Sequence, residues 1–259
     1  MGLILCGHQR SGTTLLQYLC ARHPDITVTM EFGSFLSLET TYSQYARHIL
    51  KTWWTIKNQW RICPGGTYLK LRMLANLILV SRYLYHLHHY RNQIIDAPVV
   101  DACLEKTFKT KVVGDKWPDY IYLLDYLTAS KGLKVIVVFR DPLDVASSTL
   151  GMSRTVWKSQ PWVGFLDTAE KVAHRWVNTI EIMERHGPSV HRIQYEGLVR
   201  TPTEVFDRMG DWLGVDPKGF PTDSIRDNNI GKHKNGLTNE EIDIVLRIAA
   251  PTMKRLGYL

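Results

Sequence analysis

The chain has 259 residues, 44% of them hydrophobic and 22% charged, which gives one sizeable buried core and excludes a disordered chain. Lys and Arg outnumber Asp and Glu by 32 to 25, a net charge of +7 that attracts phosphorylated small molecules, polyanionic glycans, nucleic acid or acidic membranes, or makes only a solvated basic surface. No Lys/Arg run is long enough for a nucleic-acid-binding tail, so no nucleic-acid partner is expected.

Short β-like runs alternate with helical segments, the pattern of a mostly parallel sheet of about five strands flanked by helices in a single three-layer α/β domain. Residues 3–6 predict the first strand. A Gly-rich turn over 7–12 leads into a helix over about 13–22, ended at His23-Pro24-Asp25 because proline disfavours helix in the residue before it. The β-branched run Ile26–Met30 predicts the second strand. Residues from about 35 to 109 fit the alternation poorly. They hold Trp53, Trp54, Trp60 and the cluster His86, His88 and His89, and they predict a mostly helical insertion over the open end of the sheet. Any one of these rings is as readily a packed residue as a functional one.

Residues 111–114, Leu133–Phe139 and Val190–Gln194 predict the remaining strands. Asp141-Pro142 reads as a helix cap followed by proline at the first helical position. Residues 167–186 predict a long amphipathic helix ended by Gly187. Thr201-Pro202-Thr203-Glu204 and Thr238-Asn239-Glu240-Glu241 read as capping boxes, and Gly214 ends the helix that the first of them begins.

The cysteines Cys6, Cys20, Cys63 and Cys103 are scattered, without CxxC or zinc spacing, and read as free thiols in a reducing compartment. The opening residues carry no positive n-region, so no signal peptide is expected. The apolar stretch 69–87 is interrupted by Lys70, Arg72, Asn76 and Arg82, which argues against a membrane span. With no Asn-x-Ser/Thr site either, a cytoplasmic enzyme is the expectation, with a homo-oligomer left open.

Two motifs carry chemistry. Gly7-His8-Gln9-Arg10-Ser11-Gly12-Thr13-Thr14 follows a strand and opens a helix, so turn and helix N–H groups and the helix dipole converge on one spot. That spot suits phosphate or sulfate. An ATP-type loop would have lysine where Thr13 stands. Arg10 instead puts a cation inside the turn, where it can offset charge on a leaving group. The second motif starts where Leu133–Phe139 delivers Arg140 to a strand end, followed by a helix carrying Ser147 and Ser148. An Arg and a Ser at the carboxyl end of a strand suit a phosphate. The alternative is a structural ion pair of Arg140 with Asp141 or Asp144.

At these residues the chain resembles the sulfotransferases that use 3′-phosphoadenosine 5′-phosphosulfate (PAPS) and release 3′-phosphoadenosine 5′-phosphate (PAP). The resemblance implies a P-loop NTPase-like fold. It implies that Arg10, Ser11, Gly12, Thr13 and Thr14 bind the 5′-phosphosulfate, and that Arg140 and the Ser eight positions on, Ser148, bind the 3′-phosphate. His23-Pro24-Asp25 with Glu31 resembles the branch containing tyrosylprotein and bacterial sulfotransferases, which makes Glu31 the expected catalytic base. His86, His88 or His89 is the fallback, because cytosolic small-molecule members use a histidine. Gly114-Asp115-Lys116-Trp117-Pro118 resembles the family's G-[DE]-K-x-P, which gives Lys116 the bridging oxygen to stabilise. Gln194-Tyr195-Glu196 resembles its R-Y-E and puts Tyr195 at the nucleotide, with Ser224, Lys232 and Lys234 in a lid over it. No metal is expected.

The expected acceptor is a small metabolite or natural product bearing a hydroxyl or amine. A nucleotide or small-molecule kinase and a non-catalytic anion- or heparin-binding domain are the competing readings. Mg²⁺-dependent ATP turnover would mark the first. Ligand binding indifferent to Glu31→Ala, with no transfer to lose, would mark the second.

Overall fold

The computed structural model describes residues 1–56, 69–226 and 229–259; Trp60 and Cys63 lie outside them, as do the side chains of Lys70 and Arg72. The strands are β1 (Gly2–Gly7), β2 (Ile26–Met30), β3 (Thr40–Thr41), β4 (Ile94–Ile95), β5 (Val112–Lys116), β6 (Leu133–Phe139) and β7 (Val190–Gln194). The helices are α1 (Thr13–Cys20), α2 (Tyr42–Ile56), α3 (Leu69–His88), α4 (Ala97–Phe108), α5 (Leu124–Ala129), α6 (Pro142–Arg154), α7 (Ala169–Arg185), α8 (Tyr195–Arg200), α9 (Pro202–Leu213), α10 (His233–Gly236) and α11 (Asn239–Arg255).

Five strands form one sheet in the order β2-β5-β1-β6-β7, and every pairing is parallel. Side chains alternate along each strand, so the sheet buries both faces. Ile4 and Cys6 of β1 join one apolar layer with Val100, Leu127, Val145, Trp176 and Val245. Leu3 and Leu5 join the other with Leu16, Leu19, Leu198, Phe206 and Met209. Burying a leucine stabilises by roughly 1.5–3 kcal/mol. Leu16 and Leu19, both fully buried, therefore anchor α1 firmly beneath β1 and fix both ends of the turn between them. The chain leaves β1 for β2 on one side of the sheet and later adds β6 on the other, so the carboxyl end of β1 is a switch point where ligands bind.

Several expectations shift. The strand expected at 111–114 runs from Val112 to Lys116, because its backbone keeps pairing as far as Leu5 on one side and Met30 on the other. Asp115 and Lys116 therefore lie inside the sheet. The first helix stops at Cys20, with Ala21 as its cap. The helix expected over 167–186 runs from Ala169 to Arg185, with Thr168 as its cap, accepting from the Lys171 N–H at 3.3 Å. Thr201 forms no capping box: it directly follows α8, and its hydroxyl donates back to the Gly197 carbonyl. The box at Thr238 and Glu241 is present. The insertion is helical in α2, α3 and α4, and it adds an antiparallel pair, β3 with β4.

Candidate active site

The turn after β1 is built around two glycines. Gly7 has φ 139°, and a Cβ there would stand 2.2 Å from the Val138 carbonyl oxygen. Gly12 has φ 98°, and its Cβ would meet the Tyr195 ring at 2.3 Å. Both positions need glycine. Between them Arg10 takes a left-handed φ of 69°, and the Ser11 N–H closes the turn on the His8 carbonyl at 3.2 Å.

One flank of the turn is cationic. Arg10, Arg140, Ser148 and Lys232 line a cleft of about 350 Å³, together with Asp144, Ser147 and Asn229. Arg10 Nε donates to Ser148 Oγ at 2.9 Å. Arg140 is buried at the end of β6, where the Trp176 indole N–H binds its carbonyl at 2.9 Å. Its guanidinium lies over the Tyr195 ring, 4.6 Å from the centroid, and donates to the Arg10 carbonyl at 3.2 Å. It also donates to the Asn229 carbonyl and pairs with Asp144 at 3.2 Å. The ion-pair alternative and the cleft thus coexist: Asp144 steadies Arg140 without withdrawing it, while Asp141 caps α6 through the Leu143 N–H.

Asp144 is buried and also accepts from the Gly231 N–H, the His233 N–H and His233 Nδ1 at 2.8–3.0 Å. Burial pushes its carboxyl upward, but these hydrogen bonds and Arg140 outweigh that and hold it below the ordinary carboxylate value. Arg10 is shifted below its usual value by burial and then by the neighbouring Arg140 charge.

The other flank holds an acid–base pair. Lys116, its side chain 1% exposed, donates to Glu31 Oε1 at 2.5 Å and to Thr14 Oγ1 at 3.5 Å. Glu31, with a side chain 30% exposed, faces solvent from a left-handed backbone at φ 58°, and its N–H continues the sheet onto the Lys116 carbonyl at 2.8 Å. The carbonyls of Gly33 and Ser34 are held by the insertion: His48 Nε2 binds Gly33 at 2.9 Å and the Tyr45 hydroxyl donates to Ser34 at 2.6 Å.

The turn therefore gathers most of the expected residues. Ser224 and Lys234 are exceptions. The Ser224 hydroxyl donates to the Pro221 carbonyl in its own turn at 2.9 Å, and neither residue lines the cleft. The segment contributes Lys232 and, through His233, the contact to Asp144. His88 packs edge-on against Tyr42, while His86 and His89 pack against Tyr85 within the insertion. Burial, then Arg82 and Lys106, lower the His86 value. Asp115, Asp144 beyond an ion pair with Arg140, His48, and Arg175, which donates to Gln9 of the turn at 3.2 Å and to Asp119 at 2.7 Å, were not expected at the site.

Ser11 Oγ and Arg140 Nε, together with His8 Nε2 in the turn, are among the buried polar atoms of the described residues that have no hydrogen-bond partner. Such orphans are costly unless a ligand satisfies them. Ser11 Oγ and Arg140 Nε lie around the turn, with Arg10, Arg140 and Lys232 lining the cleft there, which fits a phosphate-bearing ligand.

A parallel sheet with an anion-cradling turn at its switch point, and with its lysine supplied by β5 instead of by the turn, defines a P-loop-like α/β fold. Residues 3–218 match the sulfotransferase family, and the chain belongs to it. The nodulation protein NoeE of Sinorhizobium fredii (strain NBRC 101917 / NGR234) is 26% identical over 234 residues, 83% of this chain and 50% of that protein. The chain thus spans about half the length of this curated relative. The sulfotransferase domain of the Synechococcus PCC 7002 olefin synthase shares the fold at a TM-score of 0.59 and 18% identity, over 96% of this chain and 94% of that one. Mouse sulfotransferase SULT7A1, solved in complex with PAP, superposes at a TM-score of 0.50 and 14% identity, over 98% of this chain and 84% of that one.

Proposed function

We propose that the chain transfers a sulfuryl group from PAPS to a hydroxyl or amine of a small metabolite or natural product, in a cytoplasmic setting and without a metal. The observation that carries this reading is that both flanks touch one turn: Arg140 reaches the Arg10 carbonyl at 3.2 Å, and Lys116 reaches Thr14 Oγ1 at 3.5 Å. The three cysteines described, Cys6, Cys20 and Cys103, are buried free thiols, which supports a reducing compartment.

The donor, when bound, supplies an activated sulfuryl group on a phosphate leaving group. Arg140, Ser148 and Lys232 hold its 3′-phosphate, with Tyr195 as a shelf beneath Arg140. Ser11, Gly12, Thr13 and Thr14 cradle the 5′ end. Glu31 takes the proton of the acceptor as the acceptor's oxygen or nitrogen bonds to sulfur and the sulfur–oxygen bond to phosphate breaks. Lys116 and Arg10 offset the charge that develops on the departing oxygen. Glu31 is favoured over His86, His88 and His89 because it pairs with Lys116 beside the turn, whereas those rings pack within the insertion.

Calorimetric titration of Arg140→Ala tests the assignment. PAP affinity is expected to fall 10-fold or more, the effect of losing one charged hydrogen bond of about 1.5–3 kcal/mol. Adenosine 5′-phosphosulfate, which lacks the 3′-phosphate, is expected to lose far less. Equal losses would give Arg140 another job.

A further inference from the structure

Asp115 stands in β5 one residue before Lys116, fully buried against the segment that follows β2. Five residues direct donors at its carboxylate. The N–H groups of Phe32, Gly33 and Ser34 approach at 3.2, 2.8 and 3.3 Å. The hydroxyls of Thr29, Tyr120 and Ser34 approach at 2.7, 2.6 and 3.4 Å. Three successive N–H groups converge on one anion only where the chain has turned sharply, and the turn is made at Glu31, at φ 58°, and continued at Gly33, at φ 73°. A left-handed glutamate is strained and persists when its surroundings over-determine it. Burying a carboxylate is costly unless donors surround it. Here burial raises the Asp115 carboxyl, opposed by Tyr120, Thr29 and the N–H groups of Phe32 and Gly33.

The arrangement links two charges on one strand. Successive residues of β5 point to opposite faces, so Asp115 grips the loop while Lys116 receives the Glu31 carboxylate that the loop carries. We propose that Asp115 is a positioning residue for the transfer reaction: by holding the N–H groups of residues 32–34 it fixes the left-handed turn at Glu31, and so sets the Glu31 carboxylate between the Lys116 ammonium and the acceptor. This rests on the reading of Glu31 as the proton acceptor.

A double-substitution cycle tests it, using PAPS alone with water as the acceptor and PAP release as the signal. Asp115→Asn keeps the shape but presents an amide donor to N–H donors. Its kcat is expected to fall at least 10-fold, with KM for PAPS and the affinity for PAP unchanged. Placed in a Glu31→Gln background, it is expected to cost nothing further, because residues that act through one group are not additive. Equal loss in both backgrounds, or full kcat in Asp115→Asn while Glu31→Gln is impaired, overturns the role of Asp115 alone. Full kcat in Glu31→Gln overturns the Glu31 reading, and this proposal with it. Tyr120→Phe, which removes one donor and keeps the ring, is run through the same cycle, so the outcome does not depend on Asp115→Asn folding.

Discussion

Two guanidinium groups, Arg10 and Arg140, face one cleft, and each raises the electrostatic cost of the other; a doubly charged phosphate in the cleft relieves both. A third basic side chain, His8 of the turn, behaves differently. His8 is buried, its Nδ1 on the Gln9 carbonyl at 2.6 Å, and burial followed by the Arg175 charge lowers its value to about 4. Unfolded, a histidine titrates near 6.5. Above that pH both states are neutral and the group is silent. Between 6.5 and 4 the unfolded chain takes up a proton that the folded chain refuses, so stability falls as pH falls. Between pH 7 and pH 5 the loss is about 2 kcal/mol. Urea unfolding of His8→Gln is expected to show a correspondingly smaller loss over that interval. Identical slopes in both proteins would contradict this account of His8.

At the scale of elements, the site is assembled from strand ends. Trp176 of α7 pins the Arg140 backbone, and Glu196 of α8 accepts the Asp141 N–H at 3.0 Å, so α6 starts from a fixed point. From that start Asp144 reaches the Gly231 and His233 N–H groups and docks the segment carrying Lys232 onto the cleft. In Asp144→Ala those amides lose a buried charged acceptor worth about 1.5–3 kcal/mol. Their hydrogen exchange is expected to accelerate 10-fold or more, and unchanged protection would show that something else holds the segment. These contacts also explain what the chain disclosed beforehand. Arg10 and Arg140 were legible because strand, turn and helix start are local patterns and each residue sits at a fixed offset from one, whereas Ser148 was singled out from Ser147 only by the family resemblance. Asp115 and Asp144 act on partners 82 and 89 positions away, a distance no local pattern spans. Ser224 and Lys234 were expected in the lid from a loose resemblance in a polar, glycine-containing loop, and such a match does not separate a cleft residue from its exposed neighbour. The pair of β3 with β4 was missed because each strand is two residues long.

For the whole molecule, the parallel order places β1 between β5 and β6, and the site follows from that order. β5 delivers Lys116, and with it Glu31, to one side of the turn, while β6 delivers Arg140 to the other. The sheet brings a cationic flank and an acid–base pair, far apart in the chain, to one turn, and no element could supply both. The central claim is that the two flanks grip one adenosine carrying a 3′-phosphate. Thermal denaturation with PAP, beside ATP plus Mg²⁺, tests it most directly, because a ligand that binds only the folded state raises its stability, by about 2.7 kcal/mol at 100 times its Kd. PAP is expected to raise the melting temperature by several degrees and ATP plus Mg²⁺ to leave it nearly unchanged. A rise with ATP plus Mg²⁺ and none with PAP would contradict the account.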